Sequence, residues 1–406
     1  MRHAVGTGAV PVTAAERVDE LDVLRGFALL GVLLANFTAW VGPPFLATEA
    51  QFASISASQA DKLAEFVVHW LVSDKANTMF AVLFGIGFWI QMERIEARGG
   101  NFKSIYLRRL TILLGLGALH LFTIWPFDIL HLYALAGFVL FAMRGLGNRV
   151  LIIGGLVLAV GGRAVTEFLF KITGVADRAT EVVYSDVGIL TRQGAENTVQ
   201  IISEFSRLVA SDWFASGLGL AWFFYVLGRF MIGAFIARMQ WIQRASELLF
   251  VYRRLLLIAL PLGLIGEFAA AAFQSELWSW LEHISFLRSP IHFVSVLFLV
   301  IGYASMLVLA LHSSFNPLAA MFGPVGRMAL TNYVMQSFAV GWMLYPAWGG
   351  PSLVGQVGTA AAAGYGLAIF AGQIVFSQIW LAIFRYGPLE YLWRWGTYGN
   401  RPAFLR

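Results

Sequence analysis

The stretch "ELDVLRGFALLGVLLANFTAW", Glu20 to Trp40, is long enough to cross a bilayer, yet it opens with Asp22 and Arg25 and closes with Asn36. Arg25 and Asn36 stand eleven positions apart. At about 100° per residue that is close to three whole turns, so the two side chains point the same way. A lipid-facing helix does not carry two costly polar groups on one line. This first span is therefore expected to show that line to other helices around a site.

The rest of the chain fits such a helix. Of its 406 residues, 59% are hydrophobic and 13% charged, with a mean hydropathy of +0.72. Soluble domains carry about 25% charged residues, so the composition is that of a polytopic membrane protein. The net charge of +5 is small and dispersed over short loops, which argues against nucleic acid as a partner. Cysteine is absent, excluding disulfides, thiolate nucleophiles, iron–sulfur clusters and covalently attached haem. The first apolar run exceeds a signal-peptide core and reads as a retained span.

Apolar runs of spanning length lie near 21–40, 76–93, 105–125, 128–146, 149–170, 213–237, 255–274, 290–312, 325–346 and 358–384. The expected fold is all-α, a polytopic bundle of about ten transmembrane helices. The expected organisation is a disordered cytoplasmic tail over 1–19, one membrane domain over 20–386 and a cytoplasmic C-terminal tail over 387–406. Arginine and lysine concentrate in 93–109, 238–254 and the C-terminal tail, which an even number of spans places on one side with the N-terminus. That side is expected to be the cytoplasm, making this an inner-membrane protein with both termini inside. Two outer segments, "QADKLAEFVVHWLV" (59–72) and 179–213, carry apolar residues at helical spacing and read as amphipathic helices lying over the outer face.

Ionisable residues inside spans usually face the bundle interior. The richest neighbourhood is "GLGALHLFTIWPFDILHLYAL" (115–135), where two spans meet at a short outer turn. Asp128 comes within reach of His120 across that turn. A carboxylate there fixes the imidazole tautomer and raises its basicity, as a general base needs. Asp128 also suits a helix cap, and His131 suits a packing role. His69 belongs to the amphipathic outer helix. Arg163 and Glu167 can neutralise one another, whereas Arg229 and Glu267 each need a partner from another helix, and His292 and His312 have no obvious partner. In "GRMALTNYVMQS" (326–337), Asn332 and Gln336 share a face, with Thr331 and Tyr333 nearby; buried amides of this kind also serve to join helices.

A bis-His haem between His120 and His131 has too little room. No H-E-x-x-H, Walker, G-x-S-x-G or dinucleotide motif is present, and no metal is expected. The remaining pattern is a polar pocket with His and Asp towards the outside and Arg25 near the inside, about 16 Å of helix from Asn36. A guanidinium so placed holds a phosphate or carboxylate. The geometry suits either a transferase working across the membrane or a transporter or flippase for a small anionic or lipid-linked solute.

The segments "LDVLRGFALLGVLLAN", "FAVLFGIGF", "RRLTILLGLGALHLFTIWPFDILHLYAL", "VGRMALTNYVMQS" and "RYGPLEYLWRWGTYG" together closely resemble the YeiB-like bacterial membrane family, in order from the first span to the tail. That family resembles a wider transmembrane acyltransferase superfamily, which includes the lysosomal heparan-α-glucosaminide N-acetyltransferase and acyltransferases that decorate bacterial glycans. The resemblance implies a cytosolic acyl-CoA as co-substrate, no permanently bound cofactor, and an acceptor on the far side, a glycan or lipid-linked sugar. One glycan-modifying branch pairs an arginine with a histidine eleven positions later. Here Arg25 matches the arginine and Asn36 stands in the histidine's place. The lysosomal branch places its catalytic histidine in the first outer segment, where this chain has His69. His120 and Asp128 are the preferred catalytic pair, with His69 as the alternative. Arg25, Asn36, Lys75, Tyr133, Arg327, Asn332 and Gln336 are the expected substrate-binding residues. Membrane lipids surround the bundle, and a homodimer is an expected assembly.

Overall fold

The computed structural model describes residues 17–41, 48, 50–51, 58–173, 193–273, 278, 280, 283–284 and 287–406. The disordered tail expected over 1–19 lies outside them as far as residue 16, and so does the 179–192 part of the second outer segment. Among the described residues the only strand-type pairing is an isolated bridge between Phe384 and Leu405.

Helix α1, Asp19–Val41, begins with Asp19, Glu20 and Asp22 in its first turn, where the positive end of the helix dipole favours carboxylates. It buries Leu24, Ala28, Leu29, Leu33 and Phe37. Helix α2, Gln59–Leu71, starts where the Ser58 side chain accepts from the Asp61 amide, and it packs on two later helices. Too short to span, it turns at Asp74 into α3, Lys75–Ala97. Asp74 sits at φ 64°, a left-handed conformation that strains any residue with a side chain.

Then come α4 (Phe102–Thr123), α5 (Leu130–Ala142), and α6 (Asn148–Val157), which a π-helical turn at Leu158–Gly162 joins to α7 (Arg163–Thr173). The amphipathic α8, Thr198–Leu208, buries Ile201, Phe205 and Leu208. The expected span over 213–237 begins later, as α9 (Leu218–Arg238). A π-helical turn at Val209–Ala215 and the left-handed Gly217, φ 76°, separate it from α8. The long helices α10 (Leu249–Ala272) and α11 (Arg288–Leu311) pack along each other. Short α12 (Asn316–Ala320) and α13 (Phe322–Arg327) precede α14 (Ala329–Leu344), α15 (Thr359–Ile383) and α16 (Pro388–Tyr398).

Seven helical stretches among the described residues are long and apolar enough to cross a membrane. Leu130–Gly145 and Asn148–Gly162 are apolar but shorter, and α14 has 16 residues. The chain is an all-helical integral membrane protein. One apolar core runs through α1, α3, α4, α5, α9 and α14. Helices α3 and α9 approach most closely at glycine: a Cβ on Gly233 would stand 2.1 Å from the Val82 carbonyl oxygen. That contact of backbone with backbone admits no side chain, and it brings Arg229 of α9 against α3.

Candidate functional site

The α4–α5 turn holds a compact polar cluster. Helix α4 ends with the amides of Ile124 and Trp125 both returning to the His120 carbonyl, and the Trp213 indole donates to the Pro126 carbonyl at 2.6 Å. So anchored, the turn presents Asp128 between two histidines. Its Oδ1 lies 2.9 Å from His120 Nδ1, while its Oδ2 accepts from the His131 amide at 3.0 Å and lies 3.2 Å from His131 Nδ1. Asp128 therefore both caps α5 and orients His120. Gly117 makes this possible: a Cβ there would stand 2.4 Å from the His131 amide nitrogen, forcing the two helices apart. The Tyr333 hydroxyl of α14 reaches Asp128 Oδ1 at 3.4 Å, and the His120 and Tyr333 rings lie 5.4 Å apart.

Asp128 and His120 are fully buried, and His120 Nε2 has no protein hydrogen-bond partner. With Nδ1 against a carboxylate oxygen, the neutral ring carries its proton on Nδ1 and turns a lone pair outward from Nε2. That is the arrangement of a base awaiting a proton donor.

Tyr333 is also the link to a cavity of about 290 Å³. Along α3 its wall runs from Asn77 through Phe80, Phe84, Gly87 and Gln91 to Arg94, seventeen positions on one helix face, or about 25 Å. The Tyr333 end is apolar and aromatic, lined by Phe80, Phe84, Ile129, Leu130 and Tyr133. At the other end Arg17, Arg25, Arg94, Arg109, Arg327, Arg385 and Arg394 converge. Residues from both ends of the described chain thus meet at one mouth, so both lie at the same end of the bundle. Asp22 bonds Arg25 at 3.2 Å and pairs with Arg17 at 3.5 Å. Glu390 accepts from the amides of Leu330 and Thr331 and from the Thr331 hydroxyl. Burial pushes the Glu390 carboxyl above its usual range, and those hydrogen bonds only partly offset the shift.

Of the expected substrate-binding residues, Arg25, Tyr133 and Arg327 line this cavity. Asn36 is half-buried on α1 outside its wall. Asn332 bonds Val325 O and Ser377, and Gln336 bonds Leu29 O and Gln373; these amides tie α14 to α13, α15 and α1. His69 is half-exposed on α2, 3.8 Å from Glu65. Among the described residues, no group of three His, Cys, Asp or Glu side chains is placed to hold a metal.

Lys75 belongs to a second polar cluster that sequence reasoning missed. It pairs with Glu267 of α10 and donates to the His69 carbonyl at 2.6 Å. Glu267 also accepts from Ser295 at 2.5 Å and from His292 Nδ1 at 3.1 Å, while His292 Nε2 meets Asp74 at 3.1 Å. Glu267, isolated in the sequence, finds its partners on α3 and α11. Arg229 likewise bonds Thr78 and the carbonyls of Tyr225 and Ala159, with its guanidinium over the Tyr225 ring. His312 meets Glu20 at 3.0 Å. The side chains of Arg163 and Glu167 lie outside the described residues.

Fold and site together define a polytopic helical membrane protein with a long internal cavity, arginine-lined at one end and backed by a buried His–Asp pair near the other. The chain is 30% identical over 409 residues to "Uncharacterized protein YxaH" of Bacillus subtilis (strain 168), the match covering 96% of each chain. It is 29% identical to "Uncharacterized protein YeiB" of Escherichia coli (strain K12), over 93% of this chain and 96% of the other. A protein of Bacillus acidopullulyticus, "Uncharacterized 39.9 kDa protein in amylase 3'region", is 24% identical over 98% of each. Residues 236–400 match the family described as "Protein of unknown function (DUF418)". The chain belongs to this YeiB-like family.

Proposed function

We propose that the protein transfers an acyl group from acyl-CoA to an acceptor on the far side of the membrane, a glycan or lipid-linked sugar. The observation that carries this reading is the cavity, running about 25 Å along α3 from Asn77 to Arg94, with arginines gathered at its mouth and Tyr333 in its wall, behind which His120 Nε2 stands buried without a protein hydrogen-bond partner. The donor's phosphates sit among the arginines, Arg25 included, and its thioester arm threads towards Tyr133 and Tyr333. His120 Nε2 takes the proton from the acceptor hydroxyl or amine as that atom attacks the thioester carbonyl. The carbon–sulfur bond breaks, and the imidazolium returns its proton to the departing thiolate. Asp128 holds the ring and stabilises the imidazolium. Tyr333 must move aside for the acceptor to reach Nε2.

The arginine end faces the cytoplasm in this reading, by the excess of basic residues around it, in an inner-membrane bundle of ten spans. Reporter fusions after Gly99 and Arg244 are expected to read cytoplasmic and one near Ala195 extracytoplasmic; a cytoplasmic signal at Ala195 overturns the orientation. Homodimer formation is a separate proposal, tested by the mass of the detergent-solubilised protein.

Purified protein is expected to bind coenzyme A more tightly than about millimolar, which is only about 4 kcal/mol, and to lose that binding in Arg25→Ala. Undiminished affinity in the variant removes Arg25 from the site. The rival reading is a transporter or flippase for an anionic or lipid-linked solute. It draws on the buried Lys75–Glu267–His292 cluster, since intramembrane charges often mark transport paths. Solute movement in vesicles without any acylated product decides for it.

A further inference from the structure

The last twenty residues, expected to be a tail, help build the cavity mouth. Helix α16 packs back on the bundle: Glu390 seals the start of α14, and the Trp393 indole donates to the Arg109 carbonyl at 3.1 Å. The Arg401 side chain bonds the Tyr391 hydroxyl, and the backbone of Arg385 and Arg406 closes on Phe404 and Ile383. Four mouth residues, Glu390, Trp393, Arg394 and Tyr398, come from this segment, together with Arg385 and Tyr386 just before it.

We propose that this mouth is a binding site for a ligand bearing two or more linked phosphate groups, and that Arg385, just before the C-terminal segment, and Arg394 within it are phosphate-binding residues. Seven arginines and two carboxylates line the cavity. Glu390 is consumed by α14, and Asp22 pairs with Arg17 and Arg25. Among the described residues, Arg109, Arg385 and Arg394 are held without a carboxylate partner. Arg109 lies over the Trp393 ring at 3.8 Å and Arg394 over Tyr386 at 4.6 Å, while Arg385 donates its Nε to the Leu405 carbonyl at 2.8 Å. Stacking on an aromatic face leaves the guanidinium edge, with its N–H fork, open to an oxyanion. Arg327 Nε and the Tyr106 hydroxyl, both buried at the cavity wall, have no protein partner and stand ready as donors. The site thus offers more forks than the three terminal oxygens of a single phosphate can accept. Gathering like charges in one opening is unfavourable until a polyanion neutralises them.

The proposal names the ligand class of the site proposed above for acyl-CoA, but it does not depend on acyl transfer. Its test is titration of the full-length, detergent-purified protein with inorganic pyrophosphate, and with orthophosphate for comparison. Pyrophosphate is expected to bind more tightly than orthophosphate and to weaken as salt is raised. Affinity should fall about tenfold for each arginine removed in Arg385→Ala and Arg394→Ala, each step being about 1.4 kcal/mol. Arg244→Ala, an exposed arginine paired with Glu247 outside the cavity, should bind as the unaltered protein does. Arg385→Lys with Arg394→Lys keeps the charge but loses the forks; as a folded protein it should fall between the other two. No pyrophosphate binding by the unaltered protein, no preference over orthophosphate, or unaltered affinity in Arg385→Ala with Arg394→Ala or in the double lysine variant overturns the proposal. Because pyrophosphate carries no acyl group, binding without any acyl transfer sinks the transferase reading alone. Transfer that proceeds while the tail variants bind pyrophosphate normally sinks this one alone.

Discussion

Replacing His120 with alanine is expected to lower acyl turnover by about 10²–10⁴-fold, the range a positioned general base contributes. The protein should stay folded, because the ring's Nδ1 bond to Asp128 is one of several that fix the turn. The others are the Trp213–Pro126 bond, the His120 backbone carbonyl and the cap from Asp128 to the His131 amide. Asp128→Asn tests the same logic from the other side. It keeps the shape of the turn but removes the charge that stabilises the imidazolium, and it can present an amide N–H to Nδ1, which selects the wrong tautomer. It should lose most of the turnover while leaving coenzyme A affinity unchanged. Full activity in His120→Ala dismisses the pair as catalytic and moves attention to His69.

The second large effect is on stability. Glu267→Ala leaves the Lys75 ammonium, 2% exposed, without its carboxylate, and frees His292 from one of its two acidic partners. Each nitrogen of the His292 ring faces a carboxylate oxygen, so the cluster balances two cations against Glu267 and Asp74. Breaking a buried pair by removing one partner typically costs about 3–5 kcal/mol, because the remaining charge is stranded away from water. Thermal unfolding in detergent should show a clearly lower midpoint for Glu267→Ala. The paired replacement Lys75→Met with Glu267→Met should recover much of the loss, since no charge is then stranded. The left-handed Asp74 is part of the same balance: its side chain is held by His292, so the α2–α3 corner should loosen with the cluster. A single variant as stable as the unaltered protein, or a double variant no better than the single one, refutes this account.

The sequence by itself determined the helical membrane character and where the apolar helices run, because hydrophobic periodicity and run length are local properties. It also brought His120 and Asp128 together. Eight positions apart across a turn too short to separate them, they have little choice but to meet. Helix boundaries moved where backbone chemistry intervened, as at α9, where the π-helical turn and Gly217 delay its start. What only the tertiary structure decided was every partnership between distant helices. Glu267 meets Lys75 across 192 positions, which no local pattern announces. Asn332 and Gln336, on a shared face suited either to ligand or to helix contact, turn out to bond neighbouring helices. Arg25 and Asn36 share a line on α1, yet only Arg25 reaches the cavity. The wall follows the gap left between α1, α3 and α14, and the shape of a gap is set by how side chains from separate helices pack. The arginines of the mouth come from α1 and the residues just before it, from α3, α4 and α13, and from the C-terminal segment and the residues just before it. Singly they read as loop charges at a membrane surface, and only the folding back of α16 makes them one opening.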